Sequence, residues 1–237
     1  MKKIFLTFLI LIIPFIGNAT TMLINGDGTS AAGGGYATPA HVQSNSGVGT
    51  GPVTTSGNAT SGNTIVVWIS GLSTLADVSL SGCNVSSWTG ETQVSPTSGL
   101  VYGRWYHGIT TGGACSITFT EGISDPGWSV YEISGLATSS SDQLVNGEVY
   151  FDGTWETAVA TTTLANEALL CGWGDGSADP EVSYASGWGN TTLQNTHAHG
   201  TALKIVSSTG TYTCGGTDNT SGTYGGTSLI TLKAAAL

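Results

Sequence analysis

The sequence predicts an all-β protein, a two-sheet β-sandwich of jelly-roll type. Short runs of β-branched and aromatic residues recur about every ten residues. Gly, Asn and Ser punctuate those runs, and no window beyond the N-terminal segment carries a helical repeat of apolar residues. The elements follow in order. In the first half the expected strands are Ala40 to Asn45, Asn63 to Ser70, Asp77 to Ser81, Val101 to Gly108, Cys115 to Thr120 and Trp128 to Ser134. The second half offers Glu148 to Phe151, Glu156 to Thr163, Ala168 to Trp173, Glu181 to Ala185, Thr201 to Ser207, Thr211 to Cys214 and Thr227 to Lys233. Ile65 to Ile69 is apolar on both faces, as a central strand requires, whereas Glu132 breaks the apolar pattern of its strand and is expected to be partly buried.

Residues 1–19 begin with two lysines, continue through an apolar run from Ile4 to Ile16 and end in small residues at Gly17 and Ala19. That is the pattern of a secretory signal peptide cut after Ala19, and the run is shorter than the ~20 residues of a membrane-spanning helix. Residues 20–39 are Gly-rich and read as a loose leader to a single sandwich domain over 40–237. Beyond residue 19 only Arg104, Lys204 and Lys233 are basic against fifteen acids, and the whole chain carries a formal charge of −10. Such a surface repels nucleic acid and anionic lipid. Seven Trp and eight Tyr supply apolar area to bury, which separates this Gly-rich chain from a disordered one.

Laying the second half under the first suggests an internal duplication, with pseudo-repeats over about 63–136 and 166–235. NTIVVWIS answers to EALLCGWG with Ile65 over Ala168, GCNVSSWTG to ASGWGNTT, YHGITTGGACSITFT to KIVSSTGTYTCGGT, and WSVYEISGLA to TSLITLKAAA. In this alignment GTYTC, which imitates the tyrosine corner of an immunoglobulin domain, is a Gly turn followed by a strand. Cys83, Cys115, Cys171 and Cys214 in an exported chain imply two disulfides with three connectivities open. If the halves are separate sets of strands, Cys83 to Cys115 and Cys171 to Cys214 closes each half on itself.

The run AHVQSNSG, ATSGNTIVVW, GCNVSSWTG, WYHGITTGGACSITFT, WSVYEISGLA, TTTLANEALLCGWG and KIVSSTGTYTCGG resembles a β-sandwich module common in secreted bacterial proteins and some phage-associated proteins. The resemblance spans about residues 40 to 234. It implies a jelly-roll-like sandwich working outside the cell and supplies no catalytic residues; the four cysteines, His197 and His199 lie outside its pattern.

Catalytic signals are sparse. Four histidines and no G-x-S-x-G leave a hydrolase triad without its usual local signature. The nearest approach to paired glycosidase carboxylates is Glu148 with Asp152. For metals, Asp175, Ser177, Asp179 and Glu181 set oxygen donors at alternate positions in GDGSADPE, a pattern suited to Ca²⁺ except that Pro180 stands where a calcium loop needs Gly; an acidic hairpin tip is the plainer account. His197 and His199 share a face if their segment is extended, and a third ligand would complete a zinc site. Otherwise no cofactor is implied. The sequons at Asn58, Asn84, Asn190 and Asn219 are unremarkable in a chain so rich in Ser and Thr. Trp155, Trp173 and Trp188 lie beside Gly at expected strand ends or loops, where an indole can meet a sugar ring; core packing is the commoner fate of Trp.

These features point to a secreted, non-catalytic sandwich for extracellular surface or glycan binding and adhesion, with a glycan or cell-surface polymer as partner. The alternatives are a glycan-cleaving enzyme on a jelly-roll scaffold and a self-assembling subunit of an extracellular layer, filament or virion.

Overall fold

The computed structural model describes residues 35–97, 101–120, 122–137, 141–157, 159–175, 182–194 and 199–237, all within one compact unit, Gly34–Leu237. Residues 1–19, expected to be a signal peptide, lie outside them. Among the described residues every regular element is a strand, and no helix is long and apolar enough to cross a membrane.

The first half supplies β1 (Ala40–Val48), β2 (Val53–Thr54), β3 (Thr64–Gly71), β4 (Leu80–Gly82), β5 (Thr89–Gly90), β6 (Tyr102–Ile109), β7 (Ser116–Phe119) and β8 (Gly127–Ser134). They form an antiparallel sheet in the order β1-β8-β3-β6-β5 and a small sheet in the order β2-β7-β4. The second half supplies β9 (Gln143–Glu156), β10 (Ala160–Thr161), β11 (Glu167–Asp175), β12 (Val182–Tyr184), β13 (Gly189–Gln194), β14 (His199–Val206), β15 (Thr211–Tyr212) and β16 (Gly215–Lys233). Its large sheet runs β9-β16-β11-β14-β13, the same order eight strands later. The register of β16 against β9 jumps between Asp218 and Thr223, so the start of β16 pairs with β12 and with the end of β9, while its remainder pairs with β11 and the start of β9. Counted that way, each half contains the strand order 1-8-3-6 in one sheet and 2-7-4 in the other, which is the winding of a jelly roll.

The repeated strand order therefore reaches further than the sequence alignment. β1, β2, β9 and β10 belong to the repeats, which begin at 40 and 143 rather than near 63 and 166. The alignment of the central strands also needs correction by one residue. Ile65, Val67 and Ile69 face a core inside the first lobe, with Tyr106, Ile117 and Val130, whereas Ala168 and Leu170 face the other lobe. Setting Ile65 over Ala168 exchanges the two faces, because strand side chains alternate.

The two large sheets pack face to face. Val66, Trp68, Trp105, Tyr131 and Ile133 of the first meet Ala168, Leu170, Leu203, Ile230 and Leu232 of the second, all buried. Several polar atoms in this layer are paired, though the Trp68 indole nitrogen is not among the described residues: Trp105 Nε1 donates to Ser228 Oγ at 3.1 Å, and Tyr131 Oη donates to Asn190 O at 2.8 Å. Ser129, Thr192 and Thr201 link their hydroxyls at 2.7 and 2.6 Å. Burial pushes the Tyr131 phenol up to about 12.

The disulfides are Cys83–Cys115 and Cys171–Cys214. The first joins the end of β4 to the start of β7 within the small sheet; the second ties the large sheet of the second lobe to its outer strands, across a Cα separation of 5.9 Å. Tyr212 Oη donates back to Ser208 O at 3.0 Å, so the tyrosine-corner contact exists locally on a jelly-roll winding. The leader is corrected at its end. Residues 35–37 are clipped to the C-terminus by Ala37 N to Ala235 O and Leu237 N to Gly35 O, both 2.8 Å.

Glu132 is fully buried. Burial alone would raise its carboxyl, but Gln43 Nε2 at 2.5 Å, Thr60 N at 2.8 Å and Asn63 Nδ2 at 2.6 Å all donate to it and hold it below the usual glutamate range.

Two predictions follow from this packing. A Cβ on Gly172 would meet Trp68 at 2.7 Å and Trp105 at 2.9 Å, so Gly172→Ala is expected to cost about 1–3 kcal/mol in denaturant unfolding. Because the Glu132 carboxyl is lowered on folding, its contribution is complete above the ordinary glutamate value near ~4.3 and is lost as pH falls through the lower folded value. Glu132→Gln should therefore lose stability at pH 7, by about 1–3 kcal/mol, and show a shallower decline in Tm than the parent below that value. Equal acid slopes in parent and variant would contradict the assignment.

Candidate functional site

The small sheet of each jelly roll faces away from the other lobe, and in the second lobe it is short enough to leave a cleft. Gly215 and Gly216 lie on its floor, with the ends of β9 and β12 as walls. The absence of side chains there is required by close backbone approach: a Cβ on Gly215 would meet Trp155 O at 2.6 Å. The resulting cleft, about 320 Å³, is lined by Trp155, Tyr184, Thr154, Ser183, Thr217 and Glu156 among others. Ser183 and Thr217 pair their hydroxyls across it at 2.7 Å.

Trp155 and Tyr184 meet edge to face with ring centroids 5.8 Å apart. The Trp155 indole nitrogen is buried and makes no hydrogen bond with the described residues. Tyr184 Oη lies toward the Trp173 indole without closing a hydrogen bond, and burial pushes its phenol well above the usual tyrosine value. Among the described residues the cleft thus combines aromatic carbon, surrounding hydroxyls and a single carboxylate, Glu156, with the Trp155 nitrogen and the Tyr184 oxygen buried behind it.

Two of the tryptophans expected at loops are not surface platforms. Trp155 is 2% exposed and Trp173 fully buried, packed together with Phe151 at ring separations of 5.6 to 6.4 Å. Trp155 reaches the cleft as part of its lining, while Trp173 points into the second lobe beside the Cys171–Cys214 bridge. Trp188 is half-buried, with Lys204 Nζ 5.9 Å from its ring. The glycines flanking Trp173 misdirect the sequence reading: Gly172 and Gly174 are small because Trp68, Trp105, Val101 and Ser70 of the opposing sheet occupy the space a Cβ would take.

The proposed metal ligands are dispersed where they can be seen. Asp179, Glu181 and His197 lie outside the described residues. His199 is not on a solvated loop: it is fully buried in β14, with Nε2 3.3 Å from Trp128 O. It pairs with Gly174, so it shares that residue's inter-lobe face, whereas the adjacent Asp175 takes the opposite face of the sheet. Those two residues cannot ligate one ion, and among the described residues no group of three His, Cys, Asp or Glu side chains is placed to hold a metal. Glu148 and Asp152 are four positions apart on one strand, roughly 13 Å, too far for a glycosidase pair, and Glu148 accepts from Thr97 N at 3.2 Å.

The aromatic residues that do reach solvent escaped the sequence reading. Tyr150 and Tyr224 are neighbours on β9 and β16, 48% and 45% exposed, with ring centroids 4.7 Å apart. Their signal was the alternation around Phe151, which buries one aromatic and turns the next outward. No protein-family model, curated protein or solved structure matches the chain.

Proposed function

We propose that the protein is a non-catalytic glycan-binding module of the cell exterior, and that the cleft of its second jelly roll holds the sugar. The observation that carries this reading is the joint presence of the Trp155 and Tyr184 rings in the lining with the hydroxyls of Thr154, Ser183 and Thr217. Sugars offer C–H faces to aromatic rings and hydroxyls to such groups. Among the described residues Glu156 is the one carboxylate lining the cleft, which favours retention over hydrolysis, since both common glycosidase mechanisms use two. Two disulfides and few protease-sensitive basic positions suit an oxidising, extracellular setting.

A second reading, self-assembly, draws on a different feature. Among the described residues β9 pairs with β16 alone, and the exposed Tyr150–Tyr224 pair sits beside this long strand.

A glycan array combined with a reducing-sugar release assay tests the leading reading. Array binding without sugar release is expected, and Ser183→Phe, which places a bulky ring on an exposed strand position in the cleft wall, should weaken binding at least roughly tenfold with Tm unchanged. Sugar release would replace the module by an enzyme. An array without signal, together with concentration-dependent oligomers that Tyr150→Ser abolishes, would transfer the function to assembly.

A further inference from the structure

We infer that the first jelly roll carries a second, separate binding site, a polar pocket for one neutral hydroxyl-bearing unit such as a monosaccharide. The pocket is about 230 Å³ and is lined by Thr64, Ser86, Ser87, Thr89 and His107, with Ala137 of the segment between the lobes at its margin. That volume lies below the ~300 Å³ at which sites for drug-sized ligands begin, so it suits a single ring rather than a chain.

Strand geometry builds it. Thr64 opens β3, His107 pairs with Val66 of that strand on one side and with Thr89 of β5 on the other, and alternation puts Thr64 and His107 on the same face. Gly108 lets the 85–87 loop lie against β6, since a Cβ there would meet Ser87 O at 2.8 Å. Thr64 and His107 are 4% and 6% exposed. The Thr64 hydroxyl is buried and makes no hydrogen bond with the described residues, a state that costs on the order of 1–3 kcal/mol unless something pairs with it.

The donor set selects the ligand class. Glu91 Oε1 lies 2.9 Å from His107 Nε2, and the hydrogen bond from His107, working against burial, holds the Glu91 carboxyl below its usual value. Nε2 therefore donates to the carboxylate, leaving Nδ1 for a ligand. An anion meets no Lys or Arg among the described lining residues and faces the adjacent Glu91 carboxylate. A metal ion finds one carboxylate, already engaged, and hydroxyls. A sugar hydroxyl finds partners for both its proton and its lone pairs: Thr64 Oγ1 in either role, Nδ1, and the Ser and Thr hydroxyls of the rim.

The site does not depend on the second-lobe cleft, and the two fail separately. The full-length protein is titrated by NMR with glucose, galactose, mannose and N-acetylglucosamine, following the His107 imidazole and Thr64 methyl signals, and with inorganic phosphate and Ca²⁺ as contrasting probes. Saturable shifts with at least one sugar are expected. They should weaken roughly tenfold in Thr64→Val, which keeps the shape and removes the hydroxyl, and in the rim variant Ser87→Ala, while Ser183→Phe leaves them intact. The inference is overturned if no sugar moves these signals, if phosphate or Ca²⁺ alone does, or if folded Thr64→Val and Ser87→Ala both bind as the parent does. Loss of the shifts in Ser183→Phe would also overturn it, because the binding would then belong to the cleft.

Discussion

The rest of the structure depends on the contact of two indoles with a glycine. Trp68 and Trp105, with ring centroids 4.8 Å apart, stand on the first large sheet and lie over Gly172 of the second. Each indole is a large apolar body that one jelly roll leaves on its outward face, and only a facing sheet can remove it from water. Neither lobe exposes this surface alone without a heavy hydrophobic penalty, so the duplicated halves fold as one body. Their central strands are consequently apolar on both faces, one toward the lobe's own core and one toward the partner lobe.

That double burial explains what could be read from sequence. The VVW and ALLCGW runs announce central strands because no face is free for polar residues, and the disulfide pairing was legible because each pair falls within one repeat. The residue-level register was not legible. A strand buried on both sides lacks the polar alternation that distinguishes inside from outside, so nothing in the sequence resists a one-residue slip between Ile65 and Ala168.

The candidate site was partly visible for a related reason. Gly beside Trp commonly marks a turn, and around Trp173 it marks instead the imprint of the opposing sheet. Trp155 was read as a surface platform at a turn and lies instead almost wholly buried in the cleft lining, and Tyr184 gave no sign because its partner across the edge-to-face contact is 29 positions away. His107 drew no attention either. Its significance rests on Glu91 and Thr64, which reach it through strand pairing and cannot be found by local spacing.

The lobes also show how duplicated architecture tolerates different chemistry. Each closes one end of its internal core with a buried carboxyl that receives a backbone N–H from the loop before its central strand: Thr60 N to Glu132 at 2.8 Å, and Leu164 N to Glu167 at 3.0 Å. In the first lobe neutral donors surround the group and favour its charged form. In the second, burial dominates and the nearby Asp142, paired with Lys233 Nζ at 2.8 Å, pushes Glu167 upward. The linkage signs are opposite: Glu132 stabilises the fold above the ordinary glutamate range, whereas the contribution of Glu167 is complete below it and declines as pH rises through its raised folded value. The same plug thus favours its charged form in one lobe and its protonated form in the other. Lys233 and Asp142 lie on the strand ends that join the second lobe to the segment entering it, so this less favourable plug is reinforced by an ion pair that the first lobe does not need.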